Sequence, residues 1–207
     1  RPKYDGIGKR ILIDQFITKN YTNLPTIITY YSMNNNTPML FKSWEENILN
    51  IKDVLDMSSA APGYYPAVIK NNICGIDGGV FANDPCDLGY IEALNLYGYD
   101  ADIRILSIGC GKIKPNKNST DYSKIGGIQW LTSNELINLL TSTPKYVVDK
   151  RMEKFTNILN NKYLRINDYL DDNSLDNTSK ENILKLKETG KKWFLKYMDS
   201  LNEFFQL

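Results

Sequence analysis

The apolar positions of this chain change period several times, and each change marks an element. In "YDGIGKRILIDQFITKNY" they fall at Ile7, Ile11, Leu12, Phe16 and Ile17, the spacing of one helix face opening behind Asp5 as a cap. "LPTIITYYSM" is β-branched and aromatic and predicts a strand after Pro25. "NNNTP" is a turn and "MLFKSW" the returning strand, so the two form a hairpin. "IKDVLDMSSAA" predicts a short helix ending at Pro62. "GYYPAVI" is expected to be irregular, its path fixed by Pro62 and Pro66. "NNICGID" reads as a turn and a short buried strand.

The clearest helix start is "NDPCDLGYIEALNLYG": Asp84 can cap, Pro85 suits the first helical position and Gly98 the end. "IRILSIG" is a continuous apolar run, the pattern of a strand buried on both faces of a parallel sheet. A looser loop, "CGKIKPNKNSTDYSKIGG", follows. Two helical stretches are predicted over 129–140 and 145–159, then a short strand in "KYLRIND" and one long amphipathic helix over 178–205. That helix carries Ile183, Leu186, Trp193, Tyr197, Met198, Leu201 and Phe205 on one side and most of its lysines elsewhere. The pattern fits a terminal helix docked on the core, with a lipid-surface face as the alternative. Strand–helix alternation with buried apolar strands predicts an α/β protein whose sheet is at least partly parallel, flanked by helices on both faces. No internal repeat and no long linker divides the 207 residues.

Composition narrows the chemistry. Lys+Arg 25 against Asp+Glu 24 leaves a net charge of +1, which argues against a nucleic-acid partner. No apolar run approaches the roughly 20 residues of a membrane-spanning helix. Cys74, Cys86 and Cys110 have no C-x-x-C spacing and read as reduced, buried thiols of an intracellular protein rather than a zinc site. Four N-x-[ST] sequons, at Asn20, Asn35, Asn118 and Asn177, are expected by chance in so Asn-rich a chain. The chain has no histidine. A Ser-His-Asp or Cys-His pair cannot be completed within it, and acid–base work falls to a carboxylate, Lys, Tyr or Cys.

The carboxylate that stands out is Asp77, in "CGIDGGVFANDP". It lies where a strand ends, the usual place for sites in α/β sheets. Gly78 and Gly79 are expected to allow positive φ and close backbone approach, aiming the carboxylate out of the turn. The plainer alternative is an Asp that only caps the turn.

Several segments, in order, resemble patatin-like acylhydrolases. "DGGVFANDP" resembles their D-G-[GA] block, and "PKYDG" the segment before their helix and hairpin. "DMSSAAPGYYPA" is similar to S-A-A-P-x-x-F-P, with Tyr65 where Phe is commoner. "ILSIGCGK" is similar to L-S-L-G-T-G, with Cys110 in place of Thr; "YLRIND" and "LDDNSLDNTS" resemble the late strand and the lead into the last helix. The resemblance implies a three-layer fold related to the α/β-hydrolases, with a central, mostly parallel sheet. It implies a Ser-Asp pair without histidine, in which Asp77 takes the proton of a Ser attacking an acyl ester. Asp77, Gly78 and Gly79 are the motif residues, and Tyr64 and Tyr65 are candidates for an acyl pocket. No metal or organic cofactor is implied. The expected partners are a phospholipid or other acyl ester and, transiently, a membrane surface, with the protein cytoplasmic or peripheral on membranes.

The family's G-x-S-x-G elbow does not occur here, nor does the Gly-rich segment that supplies oxyanion donors. In the family both precede the "PKYDG" region. The 207 residues are therefore expected to be the C-terminal part of one such domain, incomplete at its N-terminal side, with an apolar face or sheet edge left uncovered. Ser58 and Ser59 are the nearest substitutes as nucleophile and fit better as small residues beneath the site. A non-catalytic binding or scaffold module is the main rival. "ILSIGCGK" also resembles the first motif of S-adenosylmethionine-dependent methyltransferases, but Ile113 stands where the third glycine would be.

Overall fold

The structure is a computed structural model that describes residues 1–19, 23–112, 123–132, 134–170 and 176–206. The chain forms two compact units. One comprises Arg1–Pro85 with Ile137–Tyr146, the other Cys86–Leu136 with Val147–Leu207. Both mix helices and strands.

In the first unit the elements run α1 (Ile7–Phe16), β1 (Ile27–Ser32), β2 (Thr37–Lys42), α2 (Ile51–Ser58), β3 (Val68–Lys70), β4 (Ile73–Asp77) and the single turn α3 (Gly79–Ala82). Their sheet has the order β2-β1-β4-β3, and every pairing is antiparallel. The hairpin β1–β2 forms as its sequence predicts, with Ser32 opposite Thr37. β3 and β4 form a second hairpin, in a stretch expected to begin irregularly. Asn71 and Asn72 both take positive φ, the two-residue turn whose twist matches a hairpin. A two-residue connection can join only antiparallel strands, so this part of the sheet cannot be parallel as expected.

The core of this unit is Tyr30, Phe41, Leu49, Ile51, Val54 and Met57, all buried. Asn50 caps α2 by accepting from the Asp53 N–H at 3.0 Å, and Val54 and Met57 turn one face of that short helix into the core. α1 behaves differently. Its N-cap is Gly6, at φ 82°, and not Asp5, which accepts the Ile7 N–H at 2.9 Å from one position further out; the residues the helix turns inward are Lys9, Arg10 and Ile13. Ile7, Ile11, Leu12 and Phe16 are between 54% and 73% exposed, so these four positions of the predicted stripe form an uncovered face, while Ile17, just past the helix, packs against the core.

The second unit contains α4 (Cys86–Tyr97), β5 (Arg104–Ile108), α5 (Gly127–Thr132), β6 (Lys162–Ile166), α7 (Lys180–Lys196) and α8 (Met198–Phe205). α6 (Asn134–Ile158) contributes residues to both units. It runs through Pro144, where the sequence suggested a break, at the loss of one helical hydrogen bond. β5 and β6 are parallel neighbours, Arg104 opposite Lys162. They form a two-stranded sheet. β5 is therefore not buried on both faces: only Ser107 is buried, and Ile108 at its end is exposed. Tyr90 and Leu94 of α4 pack with Val148 and Met152 of α6. Asn161 ties this core together, donating to the Tyr90 hydroxyl at 2.7 Å and accepting from the Ile103 N–H at 2.9 Å. α4 ends at Gly98, φ 90°, as expected. The last helix is two: Tyr197, with φ −100° and ψ 6°, separates α7 from α8. No helix among the described residues is long and apolar enough to cross a membrane.

Met57 is fully buried against both α2's neighbours and the β4 backbone. Met57→Ala is expected to cost about 2–5 kcal/mol of unfolding free energy. Urea denaturation measures it; a loss below about 1 kcal/mol would mean that the first unit has no cooperative core at this position.

Candidate functional site

Asp77 is the last residue of β4 and lies opposite Tyr30 of β1. Its own N–H donates to the Ala60 carbonyl at 3.1 Å, which joins the strand end to the segment after α2. Its Oδ1 accepts the Gly79 N–H at 2.7 Å. The carboxylate is thus held by the first amide of α3 and by the sheet behind it. The glycines serve a different purpose from the expected one. Gly78 has φ −68° and ψ −14°, a conformation open to any residue, and Gly79 is not among the glycines with positive φ. What requires glycine at position 78 is proximity. A Cβ there would stand 2.3 Å from Thr29 Oγ1 and 2.5 Å from the Thr29 carbonyl oxygen. Close backbone approach, one half of the expectation, holds; positive φ does not.

Burial raises the proton affinity of Asp77 above the ordinary carboxylate range, while the Gly79 N–H and the nearby Lys9 charge pull against it. Lys9 is itself fixed. Its Nζ donates to the Asp56 carbonyl at 2.5 Å and pairs with Asp56 Oδ1 at 2.9 Å. It also lies over the Tyr65 ring, 5.0 Å from the centroid. Beside it Arg10 pairs with Asp53 at 2.9 Å and with Asp14 at 3.2 Å. Asp53 and Asp56, three residues apart, are buried on α2. The two cations of α1 thus answer two acids taken out of water, an arrangement that is costly to break because one charge would be left uncompensated.

A groove of about 220 Å³ runs beside this network, lined by Asp5, Gly6, Lys9, Tyr65, Pro66 and Val68, among others. Tyr65 faces it and stacks with Tyr4 at 5.6 Å between centroids. Tyr64, the other candidate for an acyl pocket, does not line it; its ring lies under Lys3 at 5.9 Å. Asp77 is not part of the groove wall, and Lys9 is the residue that relates the two. Ser59 donates to the Leu55 carbonyl at 2.6 Å, as a side chain closing the end of α2. Ser58 is the last residue of that helix. Asp84 is buried just ahead of α4.

Lys9, Arg10, Asp53 and Asp56 are residues that the sequence reading did not single out. Their signal is present but faint: a two-acid step in "IKDVLDM" that falls on the buried side of a helix. The "GCGK" turn after β5 is filled by the protein itself. The Gly111 N–H donates to Asn167 Oδ1 at 2.8 Å. At φ 106°, a Cβ on Gly111 would meet Leu170 at 2.3 Å. Of the thiols, Cys110 is exposed and Cys74 and Cys86 half-buried, so none is the fully buried residue expected. Asn20, the loop 113–122 with Asn118, and the segment 171–175 with Asp171 and Asp172 lie outside the described residues. Comparison with models of known protein families finds no match. Comparison with curated proteins finds none either.

Two outcomes follow from this geometry. Gly78→Ala should destabilise more than Gly79→Ala, because the first new methyl meets the Thr29 backbone and the second, at 3.1 Å, only the Asp77 side chain. Equal melting temperatures would contradict the close approach. Asp77, with its affinity for protons raised in the fold, contributes stability at low pH that is lost as pH rises through its folded-state value. Asp77→Asn should therefore raise the melting temperature at neutral pH relative to wild type, with the gain shrinking as pH falls through the raised folded-state value and gone below about pH 4, the ordinary carboxylate range. A gain confined to acid conditions would reverse the sign assigned to burial.

Proposed function

We propose that this chain carries the proton-accepting half of a Ser-Asp acyl-ester hydrolase of the patatin-like kind, acting on phospholipids or related esters. The observation that carries the proposal is the state of Asp77. It is a half-buried carboxylate at a strand end, held through one oxygen by Gly79, in a chain that has no histidine to act as base. Burial makes it a stronger base than an exposed Asp of pKa about 3.9. The order of the resembling segments, from "PKYDG" to "YLRIND", supports the same reading.

In this proposal the nucleophilic Ser and the oxyanion donors come from outside these 207 residues, as do further strands of the three-layer sheet. The Ser hydroxyl attacks the ester carbonyl while its proton passes to Asp77 Oδ2; Oδ1 stays with Gly79. Collapse of the tetrahedral intermediate expels the alcohol, which takes the proton from Asp77 and leaves an acyl-serine. Water then attacks the acyl-serine, giving its proton to Asp77; collapse breaks the acyl–Ser bond, the Ser oxygen takes that proton back from Asp77, and the fatty acid is released. No metal or organic cofactor enters this scheme. In this scheme Tyr65 and the groove beside Lys9 receive part of the substrate, and the working location is cytoplasmic or peripheral on membranes. A non-catalytic patatin-like binding module is the second reading, favoured by one observation, the absence of G-x-S-x-G from these residues.

These residues alone should not turn over a nitrophenyl ester above a denatured control. In a polypeptide that carries both Asp77 and the Ser, Asp77→Asn should lower kcat by at least about 10²-fold with the fold retained. Asp84→Ala should cost about 1 kcal/mol of stability with little loss of activity. Near-normal turnover by Asp77→Asn makes the acid a turn residue only. Loss of turnover in Asp84→Ala at full stability points to that carboxylate instead.

A further inference from the structure

α7 has one docked face and one free face, and the free face is not the polar one. Asn182 is buried and Thr189 and Trp193 are half-buried, which fixes the side turned to the protein. On the other side Leu184, Phe194 and Leu195 are 57–65% exposed, and Ile183 is exposed beside them. At about 100° per residue these four fall in one row with Lys187 and Lys191 between them. The helix carries six lysines against two glutamates, a net of +4 in a chain whose whole net charge is +1. The row runs from Ile183 to Leu195, which at a rise of about 1.5 Å per residue is about 18 Å of the helix.

We infer that this outer face of α7 is a docking surface for an anionic membrane. The inference deepens the lipid-hydrolase reading, on which it rests for the kind of partner. Charge complementarity decides the occupant. A protein partner's interface core is depleted of lysine, whereas a helix lying in a membrane surface combines lysines with exposed Leu and Phe. The four-carbon stems of Lys187 and Lys191 cover apolar surface while their ammonium groups reach the headgroups. Negative lipid attracts such a segment, and salt screens the attraction. Of the stripe expected to dock, Trp193, Tyr197 and Met198 are half-buried, whereas Leu186 and Phe205 are exposed and Ile183 belongs to the outer row.

Co-sedimentation with vesicles of phosphatidylcholine, with and without phosphatidylserine, tests this. The chain should bind the phosphatidylserine vesicles, and added salt should release it. Lys187→Ala with Lys191→Ala should lower the partition coefficient more than tenfold, at about fivefold for each lysine. Leu184→Ser with Leu195→Ser should abolish binding, with circular dichroism as the check on folding. If that pair unfolds the helix, Lys187→Glu with Lys191→Glu gives the same decision. Asp77→Asn should bind as wild type does; in a polypeptide that also carries the Ser, retained binding together with near-normal turnover would sink the dyad and leave this surface standing. Failure of the wild type to bind overturns the inference, as does binding by the lysine pair at the wild-type level. Self-association through the row in place of vesicle binding overturns it too.

Discussion

The backbone of Gly78 runs so close to Thr29 of β1 that no side chain fits between them. The site in the first unit is built on that contact. It brings the end of β4 against β1, sets Asp77 opposite Tyr30, and leaves the Gly79 N–H pointing at the carboxylate from the start of α3. A methyl at position 78 would push the strand end away and loosen the one hydrogen bond that orients Oδ1. The constraint is steric rather than conformational, which is why the glycine has an ordinary φ of −68°.

Around this point the first unit inverts the usual order of a surface helix. α1 turns Lys9 and Arg10 inward and leaves isoleucines in the open. The cause lies on α2, where Asp53 and Asp56 share the buried side with Val54 and Met57. Two carboxylates removed from water need cations with good geometry, and α1 supplies them at 2.9 Å each. Lys9 then also reaches the field at Asp77 and the ring of Tyr65. One helix–helix contact thus sets the charge beside the acid and shapes the groove wall.

Chemically, a chain without histidine has few ways to move a proton near neutral pH. A carboxylate raised by burial is one of them. Tyr163 shows the opposite use of the same physics: burial and the hydrogen bond it donates to Asp149 at 2.7 Å push its proton affinity up, which keeps the hydroxyl neutral as a structural donor.

The sequence by itself determined the local elements. The β1–β2 hairpin, the end of α4 at Gly98 and the strand in "KYLRIND" follow from residues close together in the chain, because turn chemistry and side-chain period act over a few positions. It also determined which residue types can do chemistry, since the absence of histidine needs no coordinates, and it marked Asp77 as the acid to examine. Tertiary structure alone decided how the strands pair. Alternating strands and helices suggested parallel order; β5 and β6 keep it, but the Asn71-Asn72 turn closes β3 onto β4 antiparallel. It alone decided which face of α1 is inside, because that depends on two acids more than 40 residues away. It broke the last helix at Tyr197 and left Leu184, Phe194 and Leu195 outside. Periodicity shows that a helix has faces; only what packs against it decides which face is buried.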